Sequence, residues 1–265
     1  MLKDITLGQY FPGNTVVHRL DPRTKLILVV VYIVALFNAM GWVSNGLVLL
    51  TTLLCLKIAK IRFSNIFRGL KPMLFIIVLT ALLNLFYTGG TPVREGWAIT
   101  WEGIDRAVKM ILRITLLITG TFLLTYTTSP MALTDGLESL LKPLKKVKVP
   151  VHELTLMMSM ALRFIPTLIE ETDKIMSAQR ARGADFETGN LIQRAKALLP
   201  ILVPLFVSAF RRADELAVAM ESRCYHGGEG RTRMKQLHYA RIDFLALILG
   251  AGFLTAVLLL KHYGW

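Results

Sequence analysis

Two arginines stand in matching surroundings. Asp173 precedes Arg182 by nine residues, and Asp214 precedes Arg223 by nine. The two sets are offset by 41, and Ala178 and Ala219 share that offset. Small residues flank each arginine, as Ala181-Arg182-Gly183 and Ser222-Arg223-Cys224. A guanidinium offers a planar fork of donors to a carboxylate. Small flanks let a partner surface close on it. The chemistry of the pair is therefore recognition, a two-pronged docking. Taken singly, each arginine reads as ordinary helix capping, since the dipole favours a cation in the last turn by about 0.3–1 kcal/mol.

Catalytic and cofactor chemistry has no comparable pattern. There is no Gly-x-x-x-x-Gly-Lys-Ser/Thr phosphate loop. Gly227-Gly228-Glu229-Gly230-Arg231 lacks the Lys-Ser/Thr and a preceding strand, and reads as a flexible turn. The five histidines are scattered, and His152-Glu153 lacks the second His of a zinc helix. No metal or cofactor is expected in this chain. Cys55 and Cys224 are expected as free thiols. An alternative is an integral-membrane enzyme in which Glu170, Glu171 and Asp173, near Arg180 and Arg182, handle a phosphorylated substrate. A solvated charged face with pairs such as Glu170/Lys174 is the simpler account of those residues. A third reading is a stand-alone permease. Arg113 is the only charge inside an expected span, and no span carries a mid-membrane acid, which argues against an ion-coupled carrier.

The elements that must position the arginines follow from charge and hydropathy. The chain has 265 residues, 31 Lys+Arg against 18 Asp+Glu, and a net charge of +13. Mean hydropathy is +0.52 and 54% of residues are hydrophobic. That combination points to a bilayer and not to nucleic acid. It also excludes a disordered chain. The N-terminus does not read as a secretory signal, because the first apolar run begins only at Leu26. Leu26 to Leu56 contains no charge and has turn-forming residues near its middle (Asn38, Gly41, Ser44, Asn45, Gly46). It predicts two short spans, about 26–40 and 42–56. Further spans are predicted at 73–93, 111–127 and 244–260, the third ending at Gly89-Gly90-Thr91-Pro92. Both basic flanks of the first pair (Arg19, Arg23, Lys25; Lys57, Lys60, Arg62, Arg68, Lys71) then fall on one side. The positive-inside rule makes that side cytoplasmic, with the mixed 94–109 loop (Arg94, Glu95, Glu102, Asp105, Arg106, Lys109) outside. The N-terminus is expected in the cytoplasm, and the C-terminus, with Lys261 and Trp265, outside.

Residues 130–241 carry 17 Lys+Arg and 12 Asp+Glu, yet contain apolar helical stripes. They predict three amphipathic helices at the cytoplasmic face, about 131–147 (kinked at Pro143), 152–182 and 190–223. Leu198 to Phe210 is uncharged but only 13 residues long, short of a crossing. The expected class is an all-α integral membrane protein with about five spans. Its regions are 1–129, a four-span membrane part; 130–241, the cytoplasmic coupling part; and 242–265, the last span. Seven of the eleven methionines lie in 131–241, including Met157, Met158 and Met160. Conformable thioethers suit a surface that meets varied partners.

Tyr10-Phe11-Pro12-Gly13 and His18-Arg19-Leu20-Asp21-Pro22-Arg23-Thr24-Lys25-Leu26 resemble the N-terminal signature of the T components of energy-coupling factor transporters. The triplets at Arg182 and Arg223 resemble that family's two X-Arg-X motifs, and the order of elements is similar along nearly the whole chain. The departure is Cys224, where the family often has glycine. The resemblance implies a non-catalytic scaffold of a vitamin or metal-ion importer of the ATP-binding-cassette type. It implies two cytoplasmic ATPases docked at Arg182 and Arg223, with Ala181, Gly183, Ser222 and Cys224 as the flanks. It implies a small membrane S component that captures substrate. ATP and Mg would be bound by the ATPases. The setting implied is a prokaryotic cell membrane.

Overall fold

The structure, a computed structural model, describes residues 10–92, 100–186, 188, 190–227 and 236–263. Arg94, Glu95, the 228–231 run and Trp265 lie outside these. Among the described residues the regular structure is all helical, with one isolated bridge between Pro92 and Thr100. They form two compact units, one of the described residues within 10–140 and 237–263 and the other of those within 141–236.

The first unit contains α1 (Val16–Arg19), α2 (Pro22–Asn38), α3 (Trp42–Ala59), α4 (Phe63–Leu70), α5 (Leu74–Tyr87), α6 (Trp101–Thr127), α7 (Pro130–Leu141) and α10 (Arg241–His262). The Asp21 side chain accepts the Arg23 N–H and Pro22 occupies the first turn, so α2 starts where those residue types favour a start. The expected turn between the first two spans is present. Asn45 donates to the carbonyls of Ala39 (3.3 Å) and Gly41 (2.8 Å), and Ser44 accepts the Gly41 N–H. The third span begins earlier than predicted. It runs as α4 and α5, joined by a 3₁₀ turn at Lys71–Met73, because Pro72 removes a helical donor. α6 also starts earlier than predicted, at Trp101, with Thr100 Oγ1 accepting the Gly103 N–H. Charges assigned to a loop thus lie in its first turns, where Asp105 pairs with Lys109 at 2.8 Å.

Ala35, Leu36, Ala39, Val48, Leu116 and Val257 form the core between α2, α3, α6 and α10. Tyr32 ties three of these helices together. Its hydroxyl donates to the Leu116 carbonyl (2.9 Å) and lies 3.0 Å from Thr52 Oγ1. A Cβ at position 120 would stand 2.3 Å from the Tyr32 ring, so Gly120 permits the approach of α6 to α2. Small residues at such crossings are how helices pack where lipid supplies no hydrophobic drive. α5 has no buried residue, and Ile248 of α10 is 71% exposed. An apolar surface of this kind suits lipid contact.

The two ends of the unit differ. Trp42, Tyr87, Trp101 and Tyr263 are exposed at one end, an interfacial aromatic arrangement. There Arg113, the charge inside a span, donates to the Ala39 carbonyl at 3.2 Å and so caps the C-terminus of α2. Lys261 donates to Asn38 Oδ1 at 2.8 Å. Arg23, Lys25, Lys57, Lys60 and Arg62 occupy the other end.

Among the described residues, five helical segments are by length and composition long and apolar enough to cross a membrane: α3, α4–α5, α6, residues Ile192–Glu221 and α10. This set differs from the predicted five at two places. α2 has 17 residues, about 25 Å, and is the shortest of the predicted crossings taken whole. Its ends are level with its neighbours' through the Ala39 and Asn38 contacts and through Lys25, whose ammonium donates to the Thr127 carbonyl (2.9 Å) and Thr128 Oγ1 (3.1 Å). The Ile192–Glu221 segment belongs to the second unit. Its uncharged run of 13 residues covers about 20 Å, less than the ~30 Å hydrocarbon layer.

The helix predicted over 131–147 is a correction. α7 stops at Leu141, and Lys142–Val147 continue as a 3₁₀ turn ending at Lys148 with φ 62°. Proline at 143 lacks the donor for an α turn and disfavours helix in the residue before it.

Candidate docking site

The second unit is built on α8 (Val151–Ala181) and α9 (Leu191–Glu221), each 31 residues, or about 46 Å. Their contacts run in opposite directions along the two chains. Gln179 Nε2 donates to the Pro200 carbonyl at 3.4 Å, Glu171 meets Ser208, and Arg212 meets Glu171 and Thr167. The pair is therefore antiparallel.

Midway along the pair is a polar brace. Arg212 donates to Glu171 Oε2 at 3.1 Å and to Thr167 Oγ1 at 2.8 Å. The Ser208 hydroxyl donates to the other carboxylate oxygen of Glu171. The guanidinium also lies 5.7 Å from the centroid of the Phe164 ring. Both charged side chains are only partly exposed, and each makes several bonds. Such a charge-assisted group holds helices in register better than a lone surface pair. The enzyme alternative used Glu171 as a free carboxylate, whereas here it is engaged by two residues of α9. The signal for the brace was present in the sequence, since Glu171 and Arg212 are themselves 41 residues apart.

The two arginine triplets share one backbone geometry. At the first, the Ala184 N–H donates to the Gln179 carbonyl and the Gly183 N–H to the Arg180 carbonyl, both at 3.0 Å. At the second, the Tyr225 N–H donates to Met220 (3.0 Å) and the Cys224 N–H to Glu221 (2.8 Å). These are two Schellman caps, equivalent position by position at the offset of 41. The third residue of each triplet is left-handed, Gly183 at φ 88° and Cys224 at φ 58°. Arg182 and Arg223 thus sit at the turn itself, where the helix ends and the chain reverses. All six triplet residues are exposed.

The local geometry repeats, but the locations differ. Arg182 lies beside the first turns of α9, where Gln179 meets Pro200. Arg223 ends α9 about 23 residues farther on, about 35 Å along the helix. The two arginines lie toward opposite ends of an antiparallel pair.

Cys224 has a Cβ where glycine has none. For an L-residue the left-handed region costs about 1–2 kcal/mol relative to the right-handed one. Cys224→Gly is therefore expected to stabilise the protein by about 0.5–1 kcal/mol, read as a higher melting temperature in detergent. A lower melting temperature would show that the thiol makes contacts worth more than the strain.

The N-terminal signature lies in the other unit. Phe11 donates its N–H to the Tyr126 carbonyl (3.0 Å), and its ring packs edge-on against Tyr126. His18 bridges Thr15 Oγ1 (2.7 Å) and the Phe11 carbonyl (3.1 Å). Burial is the largest cause acting on the His18 pKa and lowers it; the Phe11 carbonyl works against this and the Lys25 ammonium adds to it. The neutral ring matches its two partners, with the Thr15 hydroxyl donating to Nδ1 and Nε2–H donating to Phe11.

Asp21 and Asp243 form a staple that spacing did not reveal. Asp243, 1% exposed, accepts the N–H groups of Asp21 and Ala240, both at 2.8 Å. Asp21 in turn chelates Arg23 with both carboxylate oxygens, at 3.0 Å each. Arg23 lies 4.0 Å over the Tyr239 ring and donates to Ser139 Oγ at 3.3 Å. Four parts of the chain, at 21–25, 127–128, 139 and 239–243, are thereby fastened at the basic end. The Leu-Asp-Pro-Arg signature is an architectural lock of the first unit.

Met157 and Met158 are 57% and 45% exposed on α8. Among the described residues no three of His, Cys, Asp and Glu are grouped so as to hold a metal ion.

Known proteins resemble the chain along nearly its whole length. A family model described as "CbiQ: Cobalt transport protein" matches residues 13–234. The chain is 53% identical to a protein of Clostridium kluyveri, over all of this chain and 99% of the relative. It is 52% identical to one of Ruminiclostridium cellulolyticum, over 99% of both. A third, from Streptococcus equi subsp. equi, is 48% identical over 92% of each chain. All three relatives are named energy-coupling factor transporter transmembrane protein EcfT.

Proposed function

Because the chain belongs to the family of energy-coupling factor transporter transmembrane proteins, we propose that it links two cytoplasmic ATPases to a substrate-capturing membrane partner through α8 and α9. The chain is a multi-pass membrane subunit of a transporter. In this reading Arg182 and Arg223 each enter a groove of one ATPase, and Ala181, Gly183, Ser222 and Cys224 let the groove walls close. The observation that carries it is the pair of equivalent Schellman caps, each presenting an arginine between small residues. ATP and Mg belong to the ATPases. Substrate, a vitamin or a metal ion, belongs to an S component resting on the apolar face. The basic end of the first unit faces the cytoplasm, with the N-terminus, and the C-terminus lies outside.

ATP-driven closure brings two docking grooves together. Each groove would pull one end of the antiparallel pair, and the brace would convert the two pulls into one tilt. The exposed Met157 and Met158 support a conformable contact surface.

Affinity purification of the tagged chain from mild detergent, with mass identification of its companions, tests the assignment. Two ATPase subunits and at least one small membrane protein are expected. A chain that purifies alone and stable defeats it.

The brace yields a separate expectation. Arg212→Ala should lower uptake about fivefold to tenfold while ATPases still co-purify, because a part-buried charge-assisted contact contributes about 1–1.5 kcal/mol. The exchange Glu171→Arg with Arg212→Glu should recover part of the loss. Undiminished uptake in Arg212→Ala would show that the two helices move independently.

A further inference from the structure

A groove opens in the first unit between the 11–18 segment and the end of α3. Its volume is about 730 Å³, and its lining includes Phe11, Asn14, His18, Lys60, Arg62 and Asn65. That volume lies within the ~300–1,000 Å³ range of small-ligand sites. His18 is held by Thr15 and the Phe11 carbonyl, but four other polar side chains there are not consumed by the fold. Among the described residues, those of Asn14, Lys60, Arg62 and Asn65 make no hydrogen bond or ion pair, and Lys60 and Arg62 are exposed.

The charge is one-sided. Residues 57–73 contain Lys57, Lys60, Arg62, Arg68 and Lys71 and no acid. Lys60 is left-handed at φ 54°, with the Ile61 N–H reaching back to the Leu56 carbonyl at 3.3 Å. Glycine or asparagine takes that position with less strain, yet a long cation stands there. The neighbouring α4 is amphipathic. Phe63 and Phe67 are 57% and 71% exposed, while Ile66 is buried. Cations beside exposed phenyl rings are the pattern of a segment lying in the headgroup layer.

We propose that this groove binds the phosphate headgroup of one anionic phospholipid. Lys60 and Arg62 meet the phosphate, Asn14 and Asn65 the neighbouring oxygens, and the acyl chains run along Ile58, Phe63 and Phe67. A zwitterionic headgroup carries its own ammonium and is disfavoured by the same cations. The site depends on membrane residence and not on ATPase docking.

Native mass spectrometry of the full chain in mild detergent tests it, with phosphatidylglycerol or phosphatidylcholine supplied in turn at equal mole fraction. One phosphatidylglycerol should be retained about tenfold over phosphatidylcholine, as expected for two cations acting near a membrane surface. Lys60→Gln with Arg62→Gln should abolish that preference. Lys57→Gln with Arg68→Gln removes the same charge outside the lining and should keep it. Lys60→Gln alone, if the double variant does not fold, should reduce the preference to about threefold. Equal retention of the two lipids, or equal loss in both double variants, would overturn the site. A further arm supplies millimolar inorganic phosphate. If phosphate alone raises the melting temperature and displaces phosphatidylglycerol, the ligand is a free phosphoryl group and the lipid assignment falls.

Discussion

Replacing Arg182 and Arg223 together by alanine should reduce uptake at least a hundredfold while the protein still inserts and folds. Both side chains are exposed and sit past the last helical turn, and no shared core depends on them. Their loss therefore costs little within this chain. At a partner groove the balance differs. Truncating one member of a buried guanidinium–carboxylate contact costs about 2–5 kcal/mol, because the other charge is left desolvated. One such loss weakens docking by about thirtyfold or more, and two remove both prongs. Single variants should each lose uptake by about tenfold or more, since one ATPase site would remain. Lysine should not rescue, because an ammonium lacks the planar fork. Uptake assays in cells, with ATPase co-purification alongside, decide the matter. Uptake above half of the original level in the double variant would remove the docking role of these residues.

Asp243→Ala should destabilise the first unit severely. The carboxylate is fully enclosed and accepts two backbone N–H groups, one from its own helix start and one from Asp21, 222 residues away in sequence. Alanine leaves both donors without an acceptor. Hydrogen bonds to charged groups contribute about 1.5–3 kcal/mol each, and orphaned buried donors add their desolvation cost. The expected loss is about 3–5 kcal/mol, a fall in melting temperature in detergent on the order of 10 °C. Asp243→Asn keeps one good acceptor and turns its amide toward the second donor, so about half of the loss is expected. A change below about 2 °C for alanine would mean that α10 is held by packing against α2 and not by the staple.

Helix positions were legible because they depend on local pattern. The uncharged run from Leu26 to Leu56 split at its Asn/Gly/Ser residues, since Ser44 and Asn45 satisfy the carbonyl and amide groups of a tight turn. The start of α6 was not legible. Glu102, Asp105, Arg106 and Lys109 look like a loop by composition, but i,i+4 pairing and the Thr100 cap make them a helical turn. The end of α7 was not legible either: Pro143 was expected to kink a helix over 131–147, and α7 stops at Leu141 instead. At the candidate site the triplets were visible as repeated spacing. The shared left-handed third position was not, because Gly183 and Cys224 differ in type and only backbone dihedrals unite them. The Asp21–Asp243 staple could not be read at all, since no local pattern links residues so distant.

The antiparallel pair carries an approximate two-fold rotation axis. A half-turn that exchanges α8 with α9 maps each residue to its equivalent at the offset of 41, and two residues facing their own equivalents must lie on the axis. Glu171 and Arg212 are such equivalents, and they face each other. The half-turn also exchanges Arg182 with Arg223. A pair of this symmetry meets a two-fold ATPase dimer equally well in either of two orientations, as far as backbone shape is concerned. Identical ATPases would therefore fit both ends. In the proposed docking, two different ATPases would be told apart by residues that break the symmetry, such as Ala181 and Gly183 at one end against Ser222 and Cys224 at the other.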